Sequence, residues 1–278
     1  MAFVRVDFFS KSLMRTVTIN AIIPVDKMQF PGMPVREKKP FKTLYLLHGI
    51  FGNYVDWVNG TRIERWAQDN NLAVIMPSGE NKFYVDNEAS GDMFSTFIGK
   101  ELVEVTRDMF PLSHERQDTF IGGLSMGGYG ALTNGLKYHD TFGYIVALSS
   151  GLILERVLAS DDSPNPMPTH RRSYYESVFG DLDKLIGSDM DYNALAKKVK
   201  DEKNKPAIYL ACGTEDALYP PNVEYRKLLE KYGYDVTWVE GPGGHTWDFW
   251  DEYLLKALKW LPLETKTESI HSGHIKTD

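Results

Sequence analysis

The feature that most constrains this chain is the pentapeptide Gly123-Leu124-Ser125-Met126-Gly127, which matches the pattern Gly-x-Ser-x-Gly. The β-branched and aromatic run Thr119-Phe120-Ile121 precedes it, and apolar residues at helical spacing follow from Ala131 onward. The pattern predicts a strand that turns sharply into a helix, with the serine in a strained backbone conformation at the turn. Glycine on both sides allows the strand and the helix to approach closely. Such a turn exposes Ser125 as a nucleophile beside a helix N-terminus.

A short pattern of glycine and serine also occurs by chance, so the interpretation depends on partners elsewhere in the chain. The apolar run 206–212 predicts a buried strand, and Asp216 lies in the polar loop that follows it. The next predicted strand, 235–239, leads into a glycine-rich loop that carries His245. The order Ser, Asp, His, each after a strand, is typical of α/β-hydrolases. We therefore predict an α/β-hydrolase fold, in which helices flank a mostly parallel central sheet.

These residue types fit nucleophilic catalysis. A serine hydroxyl attacks well only when a base takes its proton, and histidine can take that proton and later return it. A carboxylate orients the histidine and stabilises its charged form. We predict Ser125, Asp216 and His245 as the catalytic residues, with the adjacent Glu215 as the alternative acid. Asp248 is too close to His245 in the sequence to be its partner and is predicted to cap the last helix.

Ester hydrolysis also needs hydrogen-bond donors for the oxyanion. The backbone N–H of Met126, directly after the nucleophile, is the first predicted donor. The second is expected in the glycine-bearing loop 48–53, which follows the predicted strand 43–47. We assign it to Ile50, with Phe51 as the alternative. His48 is predicted to orient this loop by hydrogen bonding.

Aromatic residues near several strand ends are candidates for a substrate pocket. Trp57, Tyr84, Tyr129 and Trp247 are predicted to bind substrate, and plain packing is the alternative for each.

The remaining pattern predicts one domain, 1–263, that begins with antiparallel strands at 4–10 and 15–25 and has a turn at 30–40. Further strands are predicted at 72–77 and 144–148, and helices at 61–70, 95–110 and 247–260. The second helix has Phe97, Ile98, Leu102, Val105 and Met109 on one apolar stripe. Residues 151–205 interrupt the sheet pattern and predict a small helical cap insertion, or alternatively a surface excursion. The polar segment 264–278 is predicted to be a disordered tail.

Composition limits the classes of function. The chain has 278 residues, 42% of them hydrophobic, and a formal net charge of −7, which argues against nucleic-acid binding. Its single cysteine, Cys212, excludes an intramolecular disulfide and is predicted to be inert packing in a strand. No spacing typical of a zinc site occurs, so no metal is expected. The sequence shows no transmembrane segment or secretion signal, which predicts no membrane association and a cytoplasmic location.

The chain resembles the esterase D family of α/β-hydrolases, which includes S-formylglutathione hydrolases, tributyrin esterases, and feruloyl and acetylxylan esterases. The matching segments are 46–53 with Trp57, 123–132, 213–216, and 244–247 with Trp250. The most similar subgroup is the bacterial tributyrin esterases. S-formylglutathione hydrolases usually carry histidine where Tyr129 stands, and a cysteine-bearing loop where 50–52 stands, which counts against formylglutathione as the substrate.

The resemblance implies a serine carboxylesterase that hydrolyses short-chain acyl esters, acetyl or butyryl and including those on sugars, through an acyl-enzyme. It implies a small-molecule ester as the substrate, no cofactor, and a dimer or tetramer as the form often adopted. Feruloyl, cinnamoyl or acetylxylan esterase activity remains an alternative, as does S-formylglutathione hydrolase activity. An acyltransferase with the same triad, as in the mycolyltransferases, and a binding module on the same fold are further alternatives.

Overall fold

The computed structural model describes residues 1–26 and 39–263. Most of the predicted turn at 30–40 and all of the predicted tail at 264–278 lie outside these residues. The strands are β1 (Ala2–Ser10), β2 (Arg15–Ile23), β3 (Lys42–Leu47), β4 (Leu72–Pro77), β5 (Asp86–Asn87), β6 (Asp92–Met93), β7 (Thr119–Leu124), β8 (Tyr144–Leu148), β9 (Ala207–Gly213) and β10 (Val236–Gly241). The α-helices are α1 (Asp56–Gly60), α2 (Ile63–Asp69), α3 (Phe94–Thr96), α4 (Leu102–Met109), α5 (Met126–Lys137), α6 (Leu154–Leu158), α7 (Arg172–Phe179), α8 (Tyr192–Val199), α9 (Tyr219–Lys231) and α10 (Trp247–Trp260). Short 3₁₀ helices occur at Arg116–Asp118, Pro168–His170 and Leu182–Lys184.

Eight of these strands form one sheet in the order β1-β2-β4-β3-β7-β8-β9-β10, and β5 pairs with β6 separately. β2 is antiparallel to both β1 and β4, whereas the strands from β4 to β10 in that order are paired in parallel. The predicted antiparallel start and the mostly parallel α/β-hydrolase sheet are both confirmed.

Side chains alternate between the two faces of the sheet, and each face is covered. Along β3, Tyr45 and Leu47 belong to one apolar cluster, while Leu44 and Leu46 belong to the other. Helices α4, α5, α8 and α9 contribute to the first cluster, and α2 and α10 contribute to the second. Burial on both faces explains why strands such as β4 and β8 are continuous apolar runs.

The predicted helix 95–110 is interrupted in the structure. Residues Phe97–Glu101 form a π-helical segment between α3 and α4. Because a π-helix has wider turns than an α-helix, the residues after it face in a different direction from those predicted. Met109 is 46% exposed and Val105 only half-buried, whereas Val103 and Thr106 are buried. The predicted stripe is therefore correct up to Leu102 and wrong beyond it.

The last helix has the predicted bounds but not the predicted cap. Its N-cap residue is Thr246, whose side chain makes no capping hydrogen bond, and Asp248 lies within the first turn. An acidic side chain in that turn interacts favourably with the helix dipole without capping the helix.

The carboxyl ends of β3, β7, β9 and β10 lie at the same edge of the sheet because these strands are parallel. In such sheets the loops at this edge form the binding crevice. Across the described residues, no helix combines the length and the apolar character needed to cross a membrane.

Candidate active site

The predicted sharp turn is present at Ser125. β7 ends at Leu124 and α5 begins at Met126, so that Ser125 alone connects them, with φ 55° and ψ −119°. A Cβ atom on Gly123 would lie 2.3 Å from the Gly127 carbonyl oxygen, and one on Gly127 would lie 2.3 Å from the Leu47 carbonyl oxygen. Side chains at these two positions would therefore collide with backbone. This crowding explains why the strained serine is flanked by glycine.

The structure brings the three predicted catalytic side chains together. His245 Nε2 lies 2.9 Å from Ser125 Oγ, and His245 Nδ1 lies 2.8 Å from Asp216 Oδ2. The Asp216 side chain is fully buried, whereas the His245 side chain is 38% exposed. Trp250 packs edge-on to the imidazole, with the ring centroids 4.9 Å apart. A base is thus held between the nucleophile and a buried carboxylate, as acyl transfer requires.

Asp216 rather than Glu215 occupies the position of the acid. The second oxygen of Asp216 accepts a hydrogen bond from the Leu218 N–H at 2.8 Å. Burial alone would raise the pKa of Asp216, but the hydrogen bonds from His245 and Leu218 outweigh burial and hold it below its usual value. Glu215 is exposed, and its backbone N–H donates to the Gly243 carbonyl. The two adjacent carboxylates therefore differ in orientation. The Asp216 carboxylate faces His245, whereas the Glu215 side chain is exposed to solvent.

The loop 48–53 lies directly beside the nucleophile. A Cβ atom on Gly49 would lie 3.5 Å from Ser125 Cβ. Ile50 and Met126 line the same cavity as Ser125. Within the described part of the chain, neither of their backbone N–H groups has a hydrogen-bond acceptor. Both predicted oxyanion donors are therefore available beside Ser125 for a ligand oxygen.

The His48 side chain orients the peptide group between Gly49 and Ile50. His48 Nε2 accepts a hydrogen bond from the Gly79 N–H at 2.8 Å, so the ring proton lies on Nδ1, 2.6 Å from the Gly49 carbonyl oxygen. Burial lowers the pKa of His48, which favours this neutral form. Because a peptide group is planar, fixing the Gly49 carbonyl also fixes the direction of the Ile50 N–H. The predicted orienting role of His48 agrees with these contacts.

Phe51, the alternative donor, is engaged elsewhere. Its N–H donates to Asn81 Oδ1 at 2.8 Å, and its backbone adopts a left-handed φ of 69°. The Asn81 carbonyl also accepts a hydrogen bond from Tyr174 at 2.6 Å. Asn81 therefore connects the loop beside the nucleophile to α7. This contact has no signal in the sequence, because the two partners of Asn81 are distant from it along the chain.

A cavity of about 300 Å³ opens above Ser125. Its wall has contributions from the loop 48–53, the loops after β7, β9 and β10, and the segment 151–205. The lining side chains outside the predicted catalytic and oxyanion residues include Phe83, Ile153, Arg156, Thr169, His170 and Tyr175. A cavity of this size holds a small organic ligand.

The four predicted substrate-binding residues do not line this cavity. Trp57 is 1% exposed and donates its Nε1–H to the Leu47 carbonyl at 3.0 Å. Tyr84 is fully buried and donates to the His48 carbonyl at 3.0 Å. Tyr129 is buried and donates to the Met190 carbonyl at 2.5 Å, and Trp247 packs edge-on against Trp57. These aromatic residues pack behind the site, so for each of them the packing alternative describes the observed contacts.

Sequence reasoning missed the side chains that do line the cavity. Phe83, and not the adjacent Tyr84 that was predicted, lines the cavity. Both have positive φ values, 51° and 58°. The others lie in 151–205, where the predicted cap had no periodic pattern that assigns individual residues to a face.

The fold and this site define a serine hydrolase of the α/β-hydrolase class. The chain matches the model of the esterase family, described as "Putative esterase", over residues 10–261, and it belongs to that family. It is a serine carboxylic ester hydrolase.

Three relatives illustrate the similarity. An acetyl esterase of Caldicellulosiruptor saccharolyticus is 48% identical over 263 residues, which is 94% of this chain and 98% of the relative. The substrate-bound structure of the fluorophosphonate-binding serine hydrolase FphF of Staphylococcus aureus is 28% identical, with a TM-score of 0.81. An S-formylglutathione hydrolase of the same organism is 29% identical, with a TM-score of 0.78. Each of the two structural alignments covers 94% of this chain and 98% of the other.

Proposed function

We propose that this enzyme hydrolyses short-chain acyl esters, acetyl esters above all, through an acyl-enzyme formed on Ser125. The observation that carries the proposal is the continuous hydrogen-bonded chain from Asp216 through His245 to Ser125 Oγ, with distances of 2.8 and 2.9 Å. The 48% identity to a relative named acetyl esterase supports acetyl as the acyl group.

In the first step, Ser125 Oγ attacks the ester carbonyl carbon while His245 Nε2 takes the hydroxyl proton. The resulting oxyanion accepts hydrogen bonds from the N–H groups of Ile50 and Met126, each of which lowers the barrier by about 3 kcal/mol. His245 then gives the proton to the departing alcohol. Water attacks the acyl-enzyme by the same route and releases the carboxylic acid.

Asp216 acts through His245. Its carboxylate accepts a hydrogen bond from the Nδ1–H of His245, which leaves Nε2 without a proton and facing Ser125. Because the pKa of Asp216 is below its usual value, the carboxylate remains charged under the conditions in which esterases work. That charge stabilises the imidazolium formed during attack.

Feruloyl or cinnamoyl esters are a second candidate class. The rings of Phe83 and Tyr175 lie on the cavity wall, where a phenolic acyl group could stack. The 48% identity to a relative named acetyl esterase favours the smaller acyl group.

The test is hydrolysis of p-nitrophenyl acetate, butyrate and octanoate, and of methyl ferulate, by the wild type beside Ser125→Ala. Turnover that depends on Ser125 and decreases with chain length is expected. Efficient cleavage of methyl ferulate would move the assignment to the feruloyl class. The absence of Ser125-dependent turnover on all four esters would refute the proposal.

We further propose that residues 1–263 form one domain in which 151–205 act as a cap, and that the enzyme works in the cytoplasm as a dimer or tetramer. The contribution of Ile153, Arg156 and Tyr175 to the cavity wall supports the cap. The chain has one cysteine, Cys212, and therefore no intramolecular disulfide of the kind that many secreted proteins carry. Light scattering after size-exclusion chromatography tests the assembly, and a monomer at all concentrations would contradict it.

A further inference from the structure

Arg156 stands apart from the other arginines. It lies on α6, its side chain is exposed, and it lines the cavity that contains Ser125 and His245. Every other arginine in the described residues makes a hydrogen bond or an ion pair with another group of the protein. Arg156 makes neither with any described residue. Among the described residues, the one arginine without a protein partner thus lies on the wall of the cavity that contains Ser125.

Tyr175 lines the same cavity. The Tyr175 ring is 1% exposed, and its hydroxyl makes no hydrogen bond with a described residue. Burial raises the pKa of Tyr175, and the positive charge of Arg156 acts in the opposite direction. The guanidinium is therefore within electrostatic reach of the hydroxyl. Together they offer a positive charge and a neutral donor from one wall.

No carboxylate on the cavity wall neutralises Arg156. Within the described residues, Asp216 is the only acidic residue that lines the cavity, and it is bonded to His245. The chain as a whole has a net charge of −7, so carboxylates are plentiful elsewhere. An arginine without a carboxylate partner in an acidic protein, beside a nucleophile, is suited to bind an anion carried by the ligand. A guanidinium holds a carboxylate through two parallel N–H···O bonds.

We propose that Arg156 is a specificity-determining residue that binds a carboxylate carried by the ester substrate, with the Tyr175 hydroxyl as a second donor. The inference rests on the proposed function, because it assigns a substrate class to the same site. The carboxylate lies away from the reacting carbonyl, either on the alcohol part of the ester, which keeps the acetyl group of the proposed function, or at the far end of a longer acyl chain, which would replace it. The two locations have the same chemistry at Arg156 and are separated by the choice of substrates.

The experiment uses two matched pairs of esters. For the alcohol side, 4-acetoxybenzoate is compared with methyl 4-acetoxybenzoate, which has the same acetyl group but no charge. For the acyl side, 4-nitrophenyl hydrogen adipate is compared with 4-nitrophenyl methyl adipate. In each pair the measured quantity is the ratio of kcat/KM for the charged ester to that for the neutral ester. Comparing this ratio between enzyme variants cancels the different intrinsic reactivity of the two esters.

The variants are Arg156→Met, which keeps the apolar stem, Arg156→Lys, which keeps the charge, and Arg172→Met as the matched control. Arg172 begins α7, pairs with Glu176 at 2.8 Å and does not line the cavity. Arg156→Met should lower the ratio about tenfold for one of the two pairs, as expected for a hydrogen bond between charged groups. Arg156→Lys should retain part of the ratio, and Arg172→Met should leave it unchanged.

A ratio that is the same in the wild type and in Arg156→Met, for both pairs, overturns the inference. Should Arg156→Met fold poorly, the wild type alone still provides a test. The ratio must fall as salt is raised, because salt screens an ion pair with an exposed side chain. Ser125→Ala separates the two proposals. Ser125-dependent turnover that is indifferent to substrate charge refutes only the role of Arg156, whereas no Ser125-dependent turnover on any of the four esters refutes both.

Discussion

Replacing Asn81 by alanine should slow catalysis although Asn81 touches neither the nucleophile nor the base. The Asn81 side chain accepts the Phe51 N–H at 2.8 Å and thereby orients the peptide group that follows Ile50. Phe51 has a φ of 69°, a conformation that costs a non-glycine residue about 1–2 kcal/mol. A hydrogen bond of this kind contributes about 0.5–1.5 kcal/mol. Since the two magnitudes are comparable, loss of the bond should let the loop leave the conformation that directs the Ile50 N–H towards the oxyanion.

The size of the effect has an upper limit. Complete loss of one oxyanion donor lowers kcat by about 10²–10³. In Asn81→Ala the Gly49 carbonyl keeps its hydrogen bond with His48 Nδ1. The Gly52 N–H also still donates to this carbonyl at 3.2 Å. We therefore expect a fall in kcat of about 10- to 100-fold, with little change in KM, because the donor acts mainly in the transition state.

The assay is steady-state hydrolysis of p-nitrophenyl acetate by Asn81→Ala, Asn81→Asp and Tyr174→Phe. Asn81→Asp keeps an acceptor oxygen and should retain most of the activity. Tyr174→Phe removes the other hydrogen bond of Asn81, from α7 to its carbonyl, and should leave kcat within about threefold of the wild type. A kcat for Asn81→Ala within about twofold of the wild type, with an unchanged Tm, would refute the reasoning.

Three further results are expected. Ser125→Ala should lower kcat by about 10⁴–10⁶ while circular dichroism remains unchanged, and residual activity near the wild type would exclude Ser125 as the nucleophile. Asp216→Asn should lower kcat by about 10⁴, whereas the exposed Glu215→Gln should change it by less than about threefold, and the reverse ranking would move the acid to Glu215. Burial raises the pKa of Cys212 to about 12, so iodoacetamide should label it only after denaturation; rapid labelling of the native protein would contradict its burial.

The strands and the last helix were predictable because their signals are local. Continuous apolar runs marked β4 and β8 with their observed bounds, and α10 has the predicted limits. The order of Ser125, Asp216 and His245 also followed from local patterns, since each lies just after a strand. Parallel pairing then brings these strand ends to one edge of the sheet without further information.

Features that depend on contacts between distant segments were not predictable. The π-helical segment Phe97–Glu101 changes which side of α4 is buried, although the sequence predicts one continuous helix over 95–110. The sequence predicted Asp216 as the acid but left Glu215 open, because the choice depends on which carboxylate the loop turns towards His245. The cavity wall from 151–205 consists of short helices and loops, whose contacts are set by tertiary packing rather than by hydrophobic period.

Two of the aromatic residues predicted to bind substrate, Trp57 and Tyr84, share a physical explanation for their packed positions. The Ile50 N–H makes no hydrogen bond with a described residue, whereas the buried carbonyls that precede it still require donors. Side chains supply them at three successive residues: Trp57 to the Leu47 carbonyl, Tyr84 to the His48 carbonyl, and His48 to the Gly49 carbonyl. Indole and phenol groups suit this task because each has a large apolar body and one polar atom. Their position near the site was therefore predictable from the sequence, but their orientation is determined by the need to satisfy carbonyls behind the loop.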